Sequence, residues 1–590
     1  MFSYVFMKIL ESRPQRYDLG IDFLSGGHAA KIRKRIVKKY VGTGMQILDI
    51  GCGTGLLMED AVKAGAKVKG IDISKGMLKM AKKRIEKNGW SNITSIYNAG
   101  AVEIENLFSE NSFDLIVSTL VFSELYSEER ALALFQIRKL LKPNGKLVIA
   151  VEVKPQKFFK RLVYAFIRLP LAVLTYLIAQ TGTKPLTNIT KEITKAGFKI
   201  VEEERSFFDS FMLLAANNSK VADFDRNYLP EAKHPADDYS VFKSVWDYLG
   251  RWFPNPVEPG IRIIGNPGRN SPVILTSNFH LTVRRVERSL KGENLFLLVA
   301  PANGINVWCA AEGGDLNTHS VITVIKTSRI NELVDHDKII LPQFSASGID
   351  LIHLQKETGR KGLFGPAYSK NIPRFLKDKS TIFQYNKAEF SLPFRLEMLL
   401  SMNFVVWFVL GVITSLLSTG LLFPVSAYFW FAGLFLYSGY PVIPGKSGWF
   451  KAGMLSVIEM VSIGLFSLFI AKIPFFNYWK IMVGMTAINL WLGFDLKGIV
   501  AGYPSEAEWL MRKLGMASFG HIFSAEKQNE GKIHQDINRC TNCRICLLVC
   551  PKGVFNILEN KKIRIRNQSE CFACNACATQ CPEEALQLKK

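Results

Sequence analysis

The sequence predicts a multidomain chain of two α/β domains, a bundle of transmembrane helices and a small α+β domain. Three observations predict it: a glycine-rich turn between a short apolar strand and a helical segment after residue 44, a nearly charge-free stretch at residues 402–500, and a cysteine spacing repeated twice near the carboxyl end. At 590 residues the chain exceeds what one hydrophobic core supports and divides into several domains. Its net charge of +23 comes from lysines and arginines spread along the whole length rather than gathered into an aromatic-laced stripe. That distribution suits a membrane surface and gives no reason to expect nucleic acid as a partner. The opening MFSYVFMKIL is a short apolar run followed by Arg13 and Arg16 with no small-residue cleavage site, so no cleavable signal peptide is expected.

Residues 1–220 form the first domain. GMQILDIGCGTG at 44–55 places a strand before the glycine turn, and LLMEDAVKAG continues it as a helix. Gly51, Gly53 and Gly55 let the backbone approach a ligand, and Asp49 can accept hydrogen bonds from a donor group. A second strand, KVKGIDIS, carries Asp72, where a carboxylate grips both hydroxyls of a ribose and rejects a phosphate. The GCGTG spacing departs from the GxGxxG of dinucleotide sites. With SFDLIVSTLVFSEL at 112–125 and LLKPNGKLVIAVEV at 140–153, residues 20–215 resemble the class I S-adenosylmethionine-dependent methyltransferases. The resemblance implies a Rossmann-like fold with S-adenosyl-L-methionine held by Asp49, Gly51, Gly53 and Asp72, Gly55 closing the turn and Asn98 at the adenine edge. The acid often found in that third region is absent. No Asn-Pro-Pro-Tyr type tetrad follows the fourth strand, which argues against methylation of a base amino group. Phe158 to Gln180 is apolar but carries Lys160, Arg161, Arg168 and Pro170, so an amphipathic cover or membrane-surface helix is expected there rather than a further span.

Pro230, Pro235, Pro254, Pro256 and Pro259 mark a linker, taken as 221–254, before a second domain at 255–390. SPVILTS, NLFLLVA, DKIILPQ and KGLFGP read as its strands, giving an α/β sheet. Taken alone, Cys309 is a buried small hydrophobe. Its context, GINVWCAA with ILPQFSASGIDLIHLQKETGRKGLFGPA at 340–367 and SPVILTSN at 271–278, resembles the corrinoid protein of microbial mercury methylation. That family joins a corrinoid-binding domain to a membrane domain and works with a partner bearing two four-iron clusters. The resemblance implies a cobalamin-type corrinoid with Cys309 as the lower axial cobalt ligand, and Asn306 and Trp308 of the same motif at the cofactor. An anionic soft sulfur beneath the ring donates electron density to the metal and eases departure of a methyl group as a carbanion-like fragment. Two departures stand out: Glu312-Gly313 replaces the family's Gly-Lys, and the tail ends LQLKK without an added cysteine pair. The second makes mercury a less expected acceptor and leaves a small molecule, metal or metalloid open.

The membrane domain is placed at 391–503, with four spans at Met402 to Leu422, Pro424 to Ile443, Lys451 to Ala471 and Tyr478 to Leu496. Trp407, Trp430, Trp449, Trp479 and Trp491 are candidate interfacial anchors. Lys387, Arg395, Lys446, Lys451 and Lys497 favour a multi-pass protein of the cytoplasmic membrane with its soluble domains on the cytoplasmic side; Lys472 and Lys480 oppose this without reversing it. Glu459 falls mid-span, where an ionisable group marks either a functional site or an acid hydrogen-bonded to a neighbouring helix.

After a linker at 504–534, residues 535–590 carry CxxCxxCxxxCP twice. This spacing puts three thiolates around one cubane and sends the fourth to the other, as in an α+β bacterial-type 2[4Fe-4S] ferredoxin. It assigns Cys540, Cys543, Cys546 and Cys581 to one [4Fe-4S] cluster and Cys571, Cys574, Cys577 and Cys550 to the second. Zinc sites more often show two CxxC pairs across a longer gap. Thiolates that hold iron need a reducing compartment. Together these parts lead to the expectation of a membrane-bound methyltransferase in which a low-potential electron donor reduces a corrinoid through the clusters. A methyl group would pass from S-adenosylmethionine by way of cobalt to an acceptor. The alternative is a small-molecule methyltransferase fused to a membrane iron-sulfur electron-transfer module without corrinoid.

Overall fold

The structure, a computed structural model, describes residues 18, 27–166, 185–206, 209–218, 241–251, 254–471, 478–502, 506, 510 and 532–589. Phe158 to Gln180 lies only partly within them, and most of 504–534 lies outside.

In the first domain, β1 (Gln46–Ile50), β2 (Lys67–Asp72), β3 (Thr94–Asn98), β4 (Phe113–Thr119), β5 (Leu141–Glu152), β6 (Phe198–Ser206) and β7 (Phe211–Asn218) form one sheet in the order β3-β2-β1-β4-β5-β7-β6. The first five strands are parallel; β7 runs antiparallel to both β5 and β6. Helices α1 (Leu56–Lys63), α2 (Lys75–Lys87) and α3 (Ser127–Leu140) link the parallel strands. The strands are apolar on both faces because each face is covered. Leu147, Ile149 and Val151 enter one core while Val148 and Ala150 enter the other. The strand order reverses between β1 and β4, and such a switch point opens a crevice at the carboxyl ends of the strands.

The middle domain holds β8 (Gly260–Ile264), β9 (Val273–Ser277), β10 (Leu295–Ala300), β11 (Lys338–Leu341) and β12 (Lys361–Phe364), ordered β12-β11-β9-β10-β8 with β8 the antiparallel edge. Every residue of β10 is buried, alternating between two cores. Two elements go beyond the expectation: helix α4 (Val241–Leu249), inside the expected 221–254 linker, and strand β8, inside the expected second domain but not among its expected strands. The prolines bound these elements instead of forbidding them, since Pro254 follows α4 and Pro259 stands immediately before β8. Helix α5 (His280–Ser289) follows β9, and α6 (Val307–Gly313), α7 (Thr318–Thr327) and α8 (Leu351–Thr358) pack between strands.

Among the described residues, three helices are long and apolar enough to cross a membrane: α9 (Leu392–Leu417), α10 (Thr419–Gly439), and a third whose apolar window runs Gly448–Phe469, here α11 (Gly448–Phe466 with a π turn beyond it). The first begins ten residues before the expected Met402, because charges at its start are neutralised. Arg395 donates to the carbonyls of Tyr437 and Ser438, and Glu397 pairs with Arg251 at 2.6 Å and Arg285 at 2.7 Å. The expected fourth span is a 15-residue helix, α12 (Trp479–Gly493), preceded by residues outside the described set. At 1.5 Å per residue it covers about 22 Å, less than the hydrocarbon thickness. Glu459 accepts hydrogen bonds from Tyr428 Oη on α10 at 2.8 Å and Asn489 Nδ2 on α12 at 2.7 Å.

The tail forms two antiparallel pairs, β13 (Lys532–Gln535) with β16 (Leu586–Lys589) and β14 (Phe555–Ile557) with β15 (Ile563–Ile565). Its apolar side chains Ile533, Val549, Phe555 and Leu586 enter the same core as Leu298, Leu341 and Phe364 of the middle domain.

Candidate cofactor sites

The first site lies at the carboxyl ends of β1, β2 and β3, where the structure brings together Asp49, Gly51, Gly53, Gly55, Asp72 and Asn98. The turn runs through left-handed backbone, with φ of 76° at Gly51, 54° at Gly53 and 81° at Gly55. A β-carbon on Gly51 would meet Val121 Cγ2 at 2.0 Å, whereas one on Gly53 would enter open space. Gly53 N donates to Asp72 Oδ2 at 2.9 Å and Ser74 N donates to Oδ1 at 2.8 Å, fixing the orientation of the Asp72 carboxylate. Asn98 Nδ2 donates to the carbonyls of Asp72 and Ile73, both at 3.0 Å, and ties β3 to the end of β2. Asp49 is 1% exposed, and neither carboxylate oxygen has a hydrogen-bond partner among the described residues. Burial and the nearby Asp72 charge push its carboxyl up to about 7. A buried carboxylate without partners costs free energy until a donor or cation reaches it. The ammonium and ribose hydroxyls of S-adenosylmethionine are groups of that kind, so these residues fit the cofactor. Asp18, which accepts from Thr54 Oγ1 at 2.5 Å and pairs with Arg84, belongs to the same corner but carries no signal in the sequence.

The second site surrounds Cys309. Asn306 caps α6, its Oδ1 accepting from Cys309 N at 3.0 Å and its Nδ2 donating to Sγ at 3.1 Å. Burial pushes the thiol's pKa up; the Asn306 hydrogen bond and the Arg251 charge act against this, and Glu312 acts with it. The Trp308 ring stacks on Phe344 with centroids 4.8 Å apart and approaches Phe572 at 5.6 Å and Phe390 at 6.4 Å. These three rings come from distant segments, and Arg251 from the region taken as linker. A half-buried soft sulfur, oriented by a cap that grips both its amide and its thiol, suits an axial metal ligand.

The third site is the cysteine tail. None of the ten cysteines is in a disulfide. Cys540, Cys543, Cys546 and Cys581 line one cavity of about 360 Å³, and Cys550, Cys571, Cys574 and Cys577 line another of about 350 Å³, with Cys577 bordering both. The two loops repeat one backbone device: residues on either side of the central cysteine have positive φ, Asn542 (57°) and Arg544 (69°) around Cys543, Ala573 (62°) and Asn575 (65°) around Cys574. Left-handed residues of this kind turn successive N–H groups inward and build a nest for an anion such as a thiolate-bound cluster. The tail is fastened to the middle domain. Gln343 Nε2 donates to Val549 O at 2.9 Å, Gln580 Nε2 donates to Ala346 O at 2.8 Å, and Ala388 N donates to Pro551 O at 2.8 Å. Phe572, next to Cys571, touches Trp308, and Glu312 lies close enough to raise the Cys574 thiol. The second cavity therefore abuts the helix that bears Cys309.

Comparison with known proteins matches three families in the order of these sites. Residues 48–149 match a methyltransferase domain, 248–376 the CO dehydrogenase/acetyl-CoA synthase delta subunit, and 539–586 a 4Fe-4S dicluster domain. The acetyl-CoA decarbonylase/synthase complex subunit gamma of Methanothermobacter thermautotrophicus is 38% identical over 125 residues, 21% of this chain and 27% of that protein. The chain thus spans about a quarter of the length of that relative. A demethylmenaquinone methyltransferase of Tropheryma whipplei is 30% identical over 177 residues, 29% of this chain and 69% of that protein. A solved S-adenosylmethionine-dependent methyltransferase from Aquifex aeolicus aligns at 18% identity with a TM-score of 0.25, over 32% of this chain and 89% of the other. Through its amino-terminal domain the chain belongs to the S-adenosylmethionine-dependent methyltransferases, here fused to a corrinoid-protein-like domain and a 4Fe-4S ferredoxin domain.

Proposed function

We propose that the chain is a membrane-bound methyltransferase in which the ferredoxin domain reduces a corrinoid held by the middle domain, and a methyl group passes from S-adenosylmethionine by way of cobalt to a small-molecule, metal or metalloid acceptor. A bound corrinoid would supply a low-valent metal that accepts a methyl cation from a sulfonium. The chain's own residues bind and orient. Asp49, the Gly51–Gly55 turn and Asp72 hold the methyl donor, with Asn98 pinning the adenine side. Asn306 holds the Cys309 thiol that would bind the metal, and Trp308 braces the helix that carries it. Cys540, Cys543, Cys546 and Cys581 hold one cluster, and Cys550, Cys571, Cys574 and Cys577 the other. The observation that carries this reading is the contact of the second cysteine cavity with the Cys309 helix through Trp308 and Phe572, 5.6 Å between ring centroids. Fusion keeps donor, carrier and reductant at high effective concentration.

The middle domain and the tail share one core although the apolar helices lie between them in sequence. Both therefore sit on one side of the membrane, the cytoplasmic side by the basic residues beside the helices, and α12 would complete an even number of crossings. An external low-potential donor feeds the clusters.

The test is anaerobic incubation of the full chain, loaded with iron, sulfide and cobalamin, with methyl-labelled S-adenosylmethionine and a reductant. Label on the corrinoid is expected. Label found only on an added small molecule, with none on cobalt, sinks the direct route and favours a small-molecule methyltransferase joined to an electron-transfer module without corrinoid. Glu312 favours that second reading, because it sets a negative charge where the corrinoid family has a lysine nearby.

A further inference from the structure

Outside the three cofactor sites, one cluster of metal-ligating side chains among the described residues is assembled from two domains. Glu103 lies beyond β3 in the methyltransferase domain, while His319 and His353 stand in the first turns of α7 and α8 in the middle domain. Glu103 Oε1 lies 2.7 Å from His319 Nδ1, and Oε2 lies 3.4 Å from His353 Nε2. One ligand atom from each of the three residues falls within 4.8 Å of the others. The imidazole rings meet edge to face with centroids 5.7 Å apart, so both nitrogens converge on the same carboxylate.

Burial makes this arrangement informative. The Glu103 side chain is 1% exposed, His319 12% and His353 32%. A carboxylate withdrawn from water at a domain interface needs compensation, and Gly100 N at 2.9 Å together with one imidazole would provide it. The second imidazole goes beyond that need. Two imidazoles and one carboxylate are the donor set of borderline metal ions and not of calcium or magnesium, which take oxygen ligands. His353, the most exposed of the three, opens the cluster toward solvent and leaves an entry path and a position for water.

We propose that Glu103, His319 and His353 bind a divalent transition-metal ion of the zinc class, and that the ion clips the methyltransferase domain to the corrinoid-protein-like domain. Zinc bonds of about 2.0–2.1 Å set tetrahedral donors roughly 3.3 Å apart, so Glu103 Oε1 and His319 Nδ1, which stand 2.7 Å apart, separate slightly as the ion replaces their hydrogen bond, while the more exposed His353 adjusts by side-chain rotation. The ion takes neutral imidazoles and an ionised carboxylate, so a fourth ligand, water, completes a tetrahedron. Around it polar contacts join the two domains: Lys326 Nζ donates to Val102 O at 3.1 Å, Asn106 Nδ2 to Glu357 Oε2 at 2.8 Å and Asn278 Nδ2 to Tyr126 Oη at 3.2 Å. The clip also holds the Gly100–Glu103 segment, which leaves β3 directly after Asn98 at the donor site.

The test uses the full chain in detergent with its iron-sulfur clusters loaded anaerobically, then equilibrated with zinc and freed of excess. Metal content and the zinc K-edge X-ray absorption spectrum are measured for the wild type, His319→Ala and His353→Ala. The expected result is a single tightly held zinc per chain, with a nitrogen and oxygen shell near 2.0–2.1 Å and no sulfur. Each variant should lose it while keeping its iron, and His353→Ala, at the exposed position, guards against a folding defect. Wild-type chain that keeps its iron but retains no zinc, a sulfur-containing shell, or equal zinc in all three proteins overturns the proposal.

Discussion

Asn306 grips Cys309 twice, its oxygen accepting from the cysteine amide at 3.0 Å and its nitrogen donating to the thiol at 3.1 Å. The sulfur is thereby held in one orientation. Replacing Cys309 by alanine should leave the iron content intact and shift the visible bands of cobalamin bound to the chain. Asn306→Ala should give a mixture of the wild-type and shifted spectra, and cost about 1 kcal/mol through loss of the helix cap. Absorption spectra of reconstituted protein check both.

The Asp49 carboxyl, pushed up to about 7 by burial and Asp72, gives the donor site a pH signature. A cationic ligand favours the ionised form, so affinity for S-adenosylmethionine should rise from pH 6 to pH 8 and level off above. Below the midpoint each pH unit weakens binding by up to about tenfold. Asp49→Asn should bind more weakly and flatten the slope. Calorimetric titration across that range measures both, and an unchanged slope in the variant would place the ionisation elsewhere.

The cysteine cavities cross between the two motifs, Cys581 standing with the first set and Cys550 with the second. Cys581→Ala should therefore damage the cluster of the Cys540 loop, and Cys550→Ala that of the Cys571 loop. Each should lower the iron content toward about half. Electron paramagnetic resonance of the reduced proteins should show a different surviving signal in each case.

Within the apolar helices, Glu459 is held by Tyr428 and Asn489. Glu459→Gln keeps a partner for each and should change thermal unfolding in detergent little. Glu459→Leu leaves both without this partner and should cost about 1–3 kcal/mol.

What the sequence made legible was whatever chemistry packs into a short window. The glycine turn, Asp49 and Asp72 lie on or beside two consecutive strands, and the cysteine spacing is local by nature, so the residues grouped in the sequence are also neighbours in the fold. Prolines concealed α4 and β8, because a proline at an element's border and one in a linker look alike. The start of α9 was hidden by Arg395 and Glu397, whose compensating partners, Tyr437, Ser438, Arg251 and Arg285, are far away in the chain. Trp308 finds its aromatic neighbours in three separate segments, and Glu103 meets His353 across 250 positions. Only folding brings such groups together, and no periodicity announces them.

The common core of the middle domain and the tail bears on biosynthesis. The face that receives Ile533, Val549 and Leu586 leaves the ribosome before the apolar helices, and its cover leaves after them. Until residues 532–589 have emerged, that face stands uncovered in a crowded cell. A nascent chain cut short after the helices would thus expose that apolar face and be a ready client for chaperones and proteases.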